Sequence, residues 1–282
     1  MTLAQLIRQT EKRFKAARLH YGHGTQNARD EAAFLVLRGL GLPFSADLSA
    51  TADPRKVEHL VKKRIGQRIP AAYLLKEAWL DGLAFHVDRR VIIPRSHIAF
   101  LLKDLPLTPR RILDLCTGSG CLAILAARAF PRAQVDASDI SVPALAVARE
   151  NVRRHRLQKR IRLLRSDLFE GLKERYDLIV SNPPYVSTPS MRLLPPEYRY
   201  EPGLALAGGV NGLEFVSRIL AGAPARLNAG GLLACEVGGD RKALERAYPD
   251  IAFRWPQDEV FILERARMPG AARTAPTRRR AP

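Results

Sequence analysis

From residue 109 to 265 short apolar runs alternate with segments of helical period, and this alternation constrains the fold most. Strands separated by helices build a parallel sheet with helices packed on its faces. Residues 111–115, 133–138, 160–165 and 176–180 read as successive strands, with helices over 122–130 and 143–154. A helix over 212–227, a strand over 231–237, a helix over 241–248 and strands over 251–255 and 259–263 complete the set. In open sheets of this kind ligands bind outside the carboxyl ends of the strands. The candidate site residues are therefore those that end each apolar run.

The first run ends in Asp114-Leu115-Cys116-Thr117-Gly118-Ser119-Gly120-Cys121. Gly118 and Gly120 let the backbone turn tightly and approach a ligand closely. The turn lacks the third glycine of a dinucleotide fingerprint and the lysine of a phosphate loop, so it points elsewhere than phosphate. The second run ends at Asp139, where an acid accepts hydrogen bonds from ribose hydroxyls in nucleoside-binding units. The bland alternative is a helix cap by Asp139 or Ser141, and Ser141 is read as the cap. The third run ends at Ser166-Asp167, with Asp167 either an adenine contact or another cap.

The fourth run ends in Asn182-Pro183-Pro184-Tyr185. Each proline holds the residue before it in extended geometry. Pro184 also lacks an N–H, so this turn keeps carbonyls that no helix consumes. The expected product is a rigid ledge with an amide oxygen, a free carbonyl and an aromatic ring. Two adjacent acceptors suit a planar –NH2 group, and the ring suits its face.

These strand ends together resemble the Rossmann-like class I S-adenosylmethionine-dependent methyltransferases that modify amide or exocyclic amino nitrogens. Val91-Ile92-Ile93-Pro94-Arg95 is similar to the leader of the protein-glutamine N(5)-methyltransferases. Tyr21-Gly22-His23-Gly24-Thr25, Asp30-Glu31-Ala32 and Leu194-Pro195-Pro196-Glu197-Tyr198-Arg199-Tyr200-Glu201-Pro202 resemble the branch acting on large-subunit ribosomal protein L3. The release-factor branch usually carries Arg-Pro-Glu-Thr-Glu where this chain has Arg95-Ser96-His97-Ile98-Ala99.

The resemblance implies an α/β fold with S-adenosyl-L-methionine held by Asp114, Thr117, Gly118, Ser119, Gly120, Cys121, Asp139, Asp167 and Asn182. It implies catalysis by Asn182, Pro183 and Tyr185, and substrate contacts from those residues together with Pro184, Pro94 and Arg95. The expected reaction is N(5)-methylation of a glutamine of ribosomal protein L3, free or in an early assembly particle. The alternatives are the same reaction on release factors, methylation of an adenine amino group in nucleic acid, or a silent RNA-binding assembly factor that keeps the fold.

The rest of the chain divides into a helical region over 1–77, expected to recognise the substrate, a hairpin and linker over 78–108, and a disordered basic tail over 266–282. Within these, helices are expected over 31–40 and 54–66. The hairpin is expected to join 78–87 to 91–93 through Asp88-Arg89-Arg90. The net charge of +18 suits contact with RNA or with an RNA-binding substrate, the run from Arg149 to Arg165 above all. Three cysteines without a Cys-x-x-Cys pair, and no apolar leader or span, predict a cytoplasmic protein without disulfide, metal or membrane segment. His23 and His86 are expected to be structural, and Glu236 either faces the cofactor or caps a loop.

Overall fold

The computed structural model describes residues 1–268. Four helices open the chain: α1 (Leu3–Ala16), α2 (Ala28–Gly39), α3 (Arg55–Gln67) and α4 (Ala71–Leu75). Thr2 and Gln5 close a reciprocal capping box on α1, and Asn27 caps α2, so donors exposed at both helix starts are satisfied. The next elements are β1 (Glu77–Leu80), β2 (Leu83–His86) and the short α5 (Ile98–Leu101). The hairpin differs from expectation. Its turn is Asp81-Gly82, with φ of 46° and 74°, and residues 91–93 form no strand. Both turn residues occupy the left-handed region, which the tight Asp-Gly hairpin turn requires.

The sheet domain runs through β3 (Arg111–Leu115), α6 (Cys121–Ala129), β4 (Gln134–Asp139), α7 (Val142–Arg154), β5 (Ile161–Arg165) and β6 (Tyr176–Ser181). After α8 (Thr188–Met191) come α9 (Glu214–Arg226), β7 (Leu227–Glu236), α10 (Arg241–Ala247), β8 (Arg254–Gln257) and β9 (Val260–Glu264). The strand order is β5-β4-β3-β6-β7-β9-β8. The strands from β5 to β7 pair in parallel, and β9 and β8 turn back antiparallel. The order reverses between β3 and β6, which opens the crevice at their carboxyl ends.

Both faces of the sheet are covered. Leu122, Ile124 and Leu125 of α6 pack on one face with Phe85 of the hairpin, and Val216, Ile219 and Leu220 of α9 pack on the other. The N-terminal helices share a third core with Ala144 and Val147 of α7, through Val87, Val91 and Ile93. Asn151 ties these layers together. Its fully buried amide accepts the His86 N–H at 2.7 Å and donates to the His86 and Ser119 carbonyls, joining hairpin to glycine turn.

Of the stretch expected as a tail, Ala266 and Arg267 belong to a 3-10 turn over Arg265–Arg267 and Met268 is buried. The remainder of that expectation lies outside the described residues. Among the described residues no helix is long and apolar enough to cross a membrane, and no group of His, Cys, Asp and Glu gathers for a metal. Cys116, Cys121 and Cys235 are free thiols.

Candidate active site

A cavity of about 200 Å³ lies at the reversal point of the sheet. Gly118, Asp139, Asp167, Asn182 and Pro184 face it from the ends of β3, β4, β5 and β6. Asp139 Oδ2 accepts the Gly118 N–H at 2.9 Å, while Oδ1 accepts the Ser141 N–H at 2.9 Å. Burial pushes the Asp139 carboxyl up, partly offset by these N–H donors. Ser141 caps α7 through Ala144, so capping leaves Asp139 at the cavity wall.

Other residues of the glycine turn lie behind its cavity face. Asp114 is fully buried behind the turn, where Oδ2 accepts the Thr117 hydroxyl at 2.6 Å and the Ala123 N–H at 2.9 Å. Burial pushes its carboxyl up to about 7. Thr117, Ser119, Gly120 and Cys121 are likewise buried and absent from the cavity wall. At Gly120 a Cβ would sit 3.2 Å from the Ala148 Cβ, so this glycine permits close packing on α7. These residues shape the turn, and Gly118 presents it.

Asn182 and Pro184 line the cavity with Pro183 between them in the chain, whereas Tyr185 is not part of its wall. The Tyr185 ring lies against Gly238, where an added Cβ would meet the ring at 2.7 Å. Gly208 and Gly212 approach the Tyr185 backbone as closely, at 2.6 Å and 2.5 Å for an added Cβ. Three glycines thus clamp one tyrosine, and the ledge cannot swing.

Pro94 is buried and Arg95 is not free for substrate. Both terminal guanidinium nitrogens of Arg95 donate to the Glu201 carboxylate, at 2.5 and 2.8 Å. Glu201 also accepts the Ile93 N–H at 3.0 Å, so it pins the 91–95 leader to the loop after the ledge. The same loop carries Glu197, which takes the His20 N–H and the side chains of Arg64 and Arg68. Arg64 continues the network to Glu31. Glu236 accepts the Ser96 hydroxyl at 2.6 Å and the His97 N–H at 3.1 Å, which makes it the cap of the loop before α5.

Several cavity residues escaped sequence reasoning. Cys116 lines the wall with φ of 57°, and Leu168 with φ of 49°. Left-handed backbone at non-glycine residues costs about 1–3 kcal/mol each and clusters at ligand sites. Ile92, Pro202 and Leu204 close the outer side, and Arg218 of α9 pairs with Asp167 at 2.9 Å. Ile92, Cys116 and Pro202 stood inside motifs that sequence alone singles out, whereas Leu204 and Arg218 did not.

A family model for the methyltransferase small domain matches residues 97–193. The ribosomal protein uL3 glutamine methyltransferase of Bordetella pertussis is 50% identical, over 95% of this chain and 96% of that protein. Its namesake from Neisseria meningitidis serogroup B is 46% identical, over 95% of each chain. This chain belongs to the uL3 glutamine methyltransferase family. A solved methyltransferase from Pyrococcus furiosus shares the fold, with a TM-score of 0.51 and 19% identity over 75% of this chain and 98% of that one. In this methyltransferase the expected α/β Rossmann-like fold is present, and the cavity sits where that fold places its ligands.

The basic run from 149 to 165 is partly consumed by the fold. Arg160 donates to the carbonyls of Ala127, Phe130 and Ala133, and Arg162 grips Asp136 with two hydrogen bonds. These two arginines are therefore structural.

Proposed function

We propose that this methyltransferase uses S-adenosyl-L-methionine to methylate the amide nitrogen of a glutamine in ribosomal protein uL3. The observation that carries the reading is the 50% identity, over nearly the whole length, to a relative named for that activity. The cavity's donor set fits the methyl donor. Asp139 suits ribose hydroxyls, Asp167 an exocyclic amino group, and the left-handed turn of Cys116 and Gly118 admits the amino-acid portion close to the backbone. When bound, the donor supplies a methyl group made electrophilic by its sulfonium.

The protein's task is then to make a poor nucleophile reactive. An amide nitrogen shares its lone pair with the carbonyl. Asn182 Oδ1 and the Pro183 carbonyl accept its two N–H bonds, drawing density back toward nitrogen and fixing its direction. Tyr185, held by its glycines, backs the ledge so that those acceptors keep their places. Preorganised acceptors facing a developing positive charge are worth about 10²–10³ in rate each. After transfer the surplus proton of the methylated amide passes to solvent water.

Incubation with uL3 and S-adenosylmethionine, followed by peptide mass spectrometry, tests this reading. One methyl on one glutamine amide is expected; unmodified uL3 alongside methylated release factor would reassign the substrate.

A further inference from the structure

A second cavity, of about 250 Å³, opens among the N-terminal helices. Its walls are aromatic: Phe34, Phe44 and Trp79, with Phe44–Trp79 centroids 5.1 Å apart and edge to face. Phe44 is 48% exposed at the lip, so its ring is open to a partner as well as to Trp79. Asp30 is the only charged side chain among the cavity's lining residues, in a chain carrying +18. Its carboxylate is exposed, and its partner among the described residues is the neutral amide of Asn27. At the floor lies His23, buried, with both ring nitrogens lacking a hydrogen-bond partner among the described residues.

An aromatic box with one acid suits a lysine or arginine side chain. The methylene stem lies along the rings, the cation takes their faces, and the head reaches the carboxylate. RNA is the wrong occupant, because Asp30 repels phosphate. The nearby Arg38 does not fill the box: it stands 6.0 Å from the Trp79 ring and is bonded to Glu77 and the Leu42 carbonyl. The leader segment links the two cavities. An added Cβ at Gly24, in this wall, would lie 3.5 Å from Ile93, whose neighbour Ile92 lines the catalytic cavity.

We propose that this box is a docking site for a basic side chain of the protein substrate, engaged while the glutamine occupies the catalytic cavity. The inference rests on the reading that the substrate is a protein that assembles on RNA, since such a protein needs cations to meet phosphates. It gives an enzyme of +18 one local attraction for a basic partner, with the aromatic rings adding to the contact of the carboxylate.

Binding and turnover are measured separately with free uL3, on the wild type and on Asp30→Lys and Phe44→Ala variants shown to be folded by thermal melting. Each variant is expected to raise Kd and KM for uL3 about five- to tenfold, with kcat and the KM for S-adenosylmethionine unchanged. Equal uL3 binding by wild type and both variants overturns the docking site. Wild-type protein that binds uL3 in a manner sensitive to both variants, yet never methylates it, sinks the function reading and leaves the docking site standing. Wild-type protein that does not bind uL3 overturns both.

Discussion

Asp139 reaches back across the end of β4 to hold the Gly118 N–H, 2.9 Å from its Oδ2. The bond couples the glycine turn to the neighbouring strand, so the residue proposed to bind ribose also sets the shape of the turn. With Oδ1 committed to Ser141, the carboxylate is fixed in orientation before any ligand arrives. Binding then needs little reordering of this wall.

Asp139→Ala should therefore raise the KM for S-adenosylmethionine far more than it lowers kcat at saturating donor. Ribose contacts are made equally in ground and transition states, which is uniform binding. Calorimetric titration checks it, and unchanged donor affinity would confine Asp139 to supporting the turn. Asp139→Asn, which keeps one acceptor oxygen, should lie between the two.

Replacing Asn182 by Ala should lower kcat about 10²–10³-fold with the donor affinity largely kept. Asn182→Asp should fail as well, because the restored oxygen brings a charge that must be desolvated in the cavity. Steady-state kinetics on uL3 decides this. Near-wild-type turnover in Asn182→Ala would remove the ledge from the mechanism.

How far such residues can be found in advance depends on how local their causes are. The strand ends were legible because Asn182-Pro183-Pro184-Tyr185 and Gly118-Ser119-Gly120 have backbone requirements written into consecutive residues. The parallel sheet was legible for the same reason, as apolar period and turn chemistry repeat together. The bonds of Asp114 were not legible, since an acid beside a glycine turn looks the same in sequence whether or not its carboxylate holds the Ala123 N–H behind the turn. The hairpin was misplaced although Asp81-Gly82 is a strong turn signal, because Asp88-Arg89-Arg90 also sits between apolar runs. Glu201 with Arg95, and Glu197 with Arg64, lie 106 and 133 residues apart, and no periodicity reports such pairs.

The Glu201–Arg95 pair should behave as a buried clamp. Glu201→Ala leaves Arg95 facing a void at a site where the Glu201 side chain is fully buried, and should cost about 3–5 kcal/mol. Combining it with Arg95→Met removes the stranded charge and should recover much of that loss. Urea unfolding of the single and double variants checks the pattern. A double variant no more stable than Glu201→Ala would show that the pair's value lies in the Ile93 N–H contact alone.

His23 gives the fold an acid limit. Burial lowers its imidazole from 6.5 to about 4, opposed by Glu201 3.9 Å away and reinforced by the facing cations Arg95 and Arg64 and by His20. The folded pKa lies below the unfolded one, so the unfolded chain binds the proton first. The stabilisation is present above pH about 6.5 and is lost as pH falls through about 4. The loss amounts to about 3 kcal/mol at most. His23→Phe fills the same place beside the Tyr198 ring, whose centroid lies 4.4 Å away, and cannot charge. Its melting temperature should fall less steeply between pH 6.5 and 4 than that of the unaltered protein. Parallel curves for the two proteins would mean that His23 is already protonated in the fold, with Glu201 as its partner.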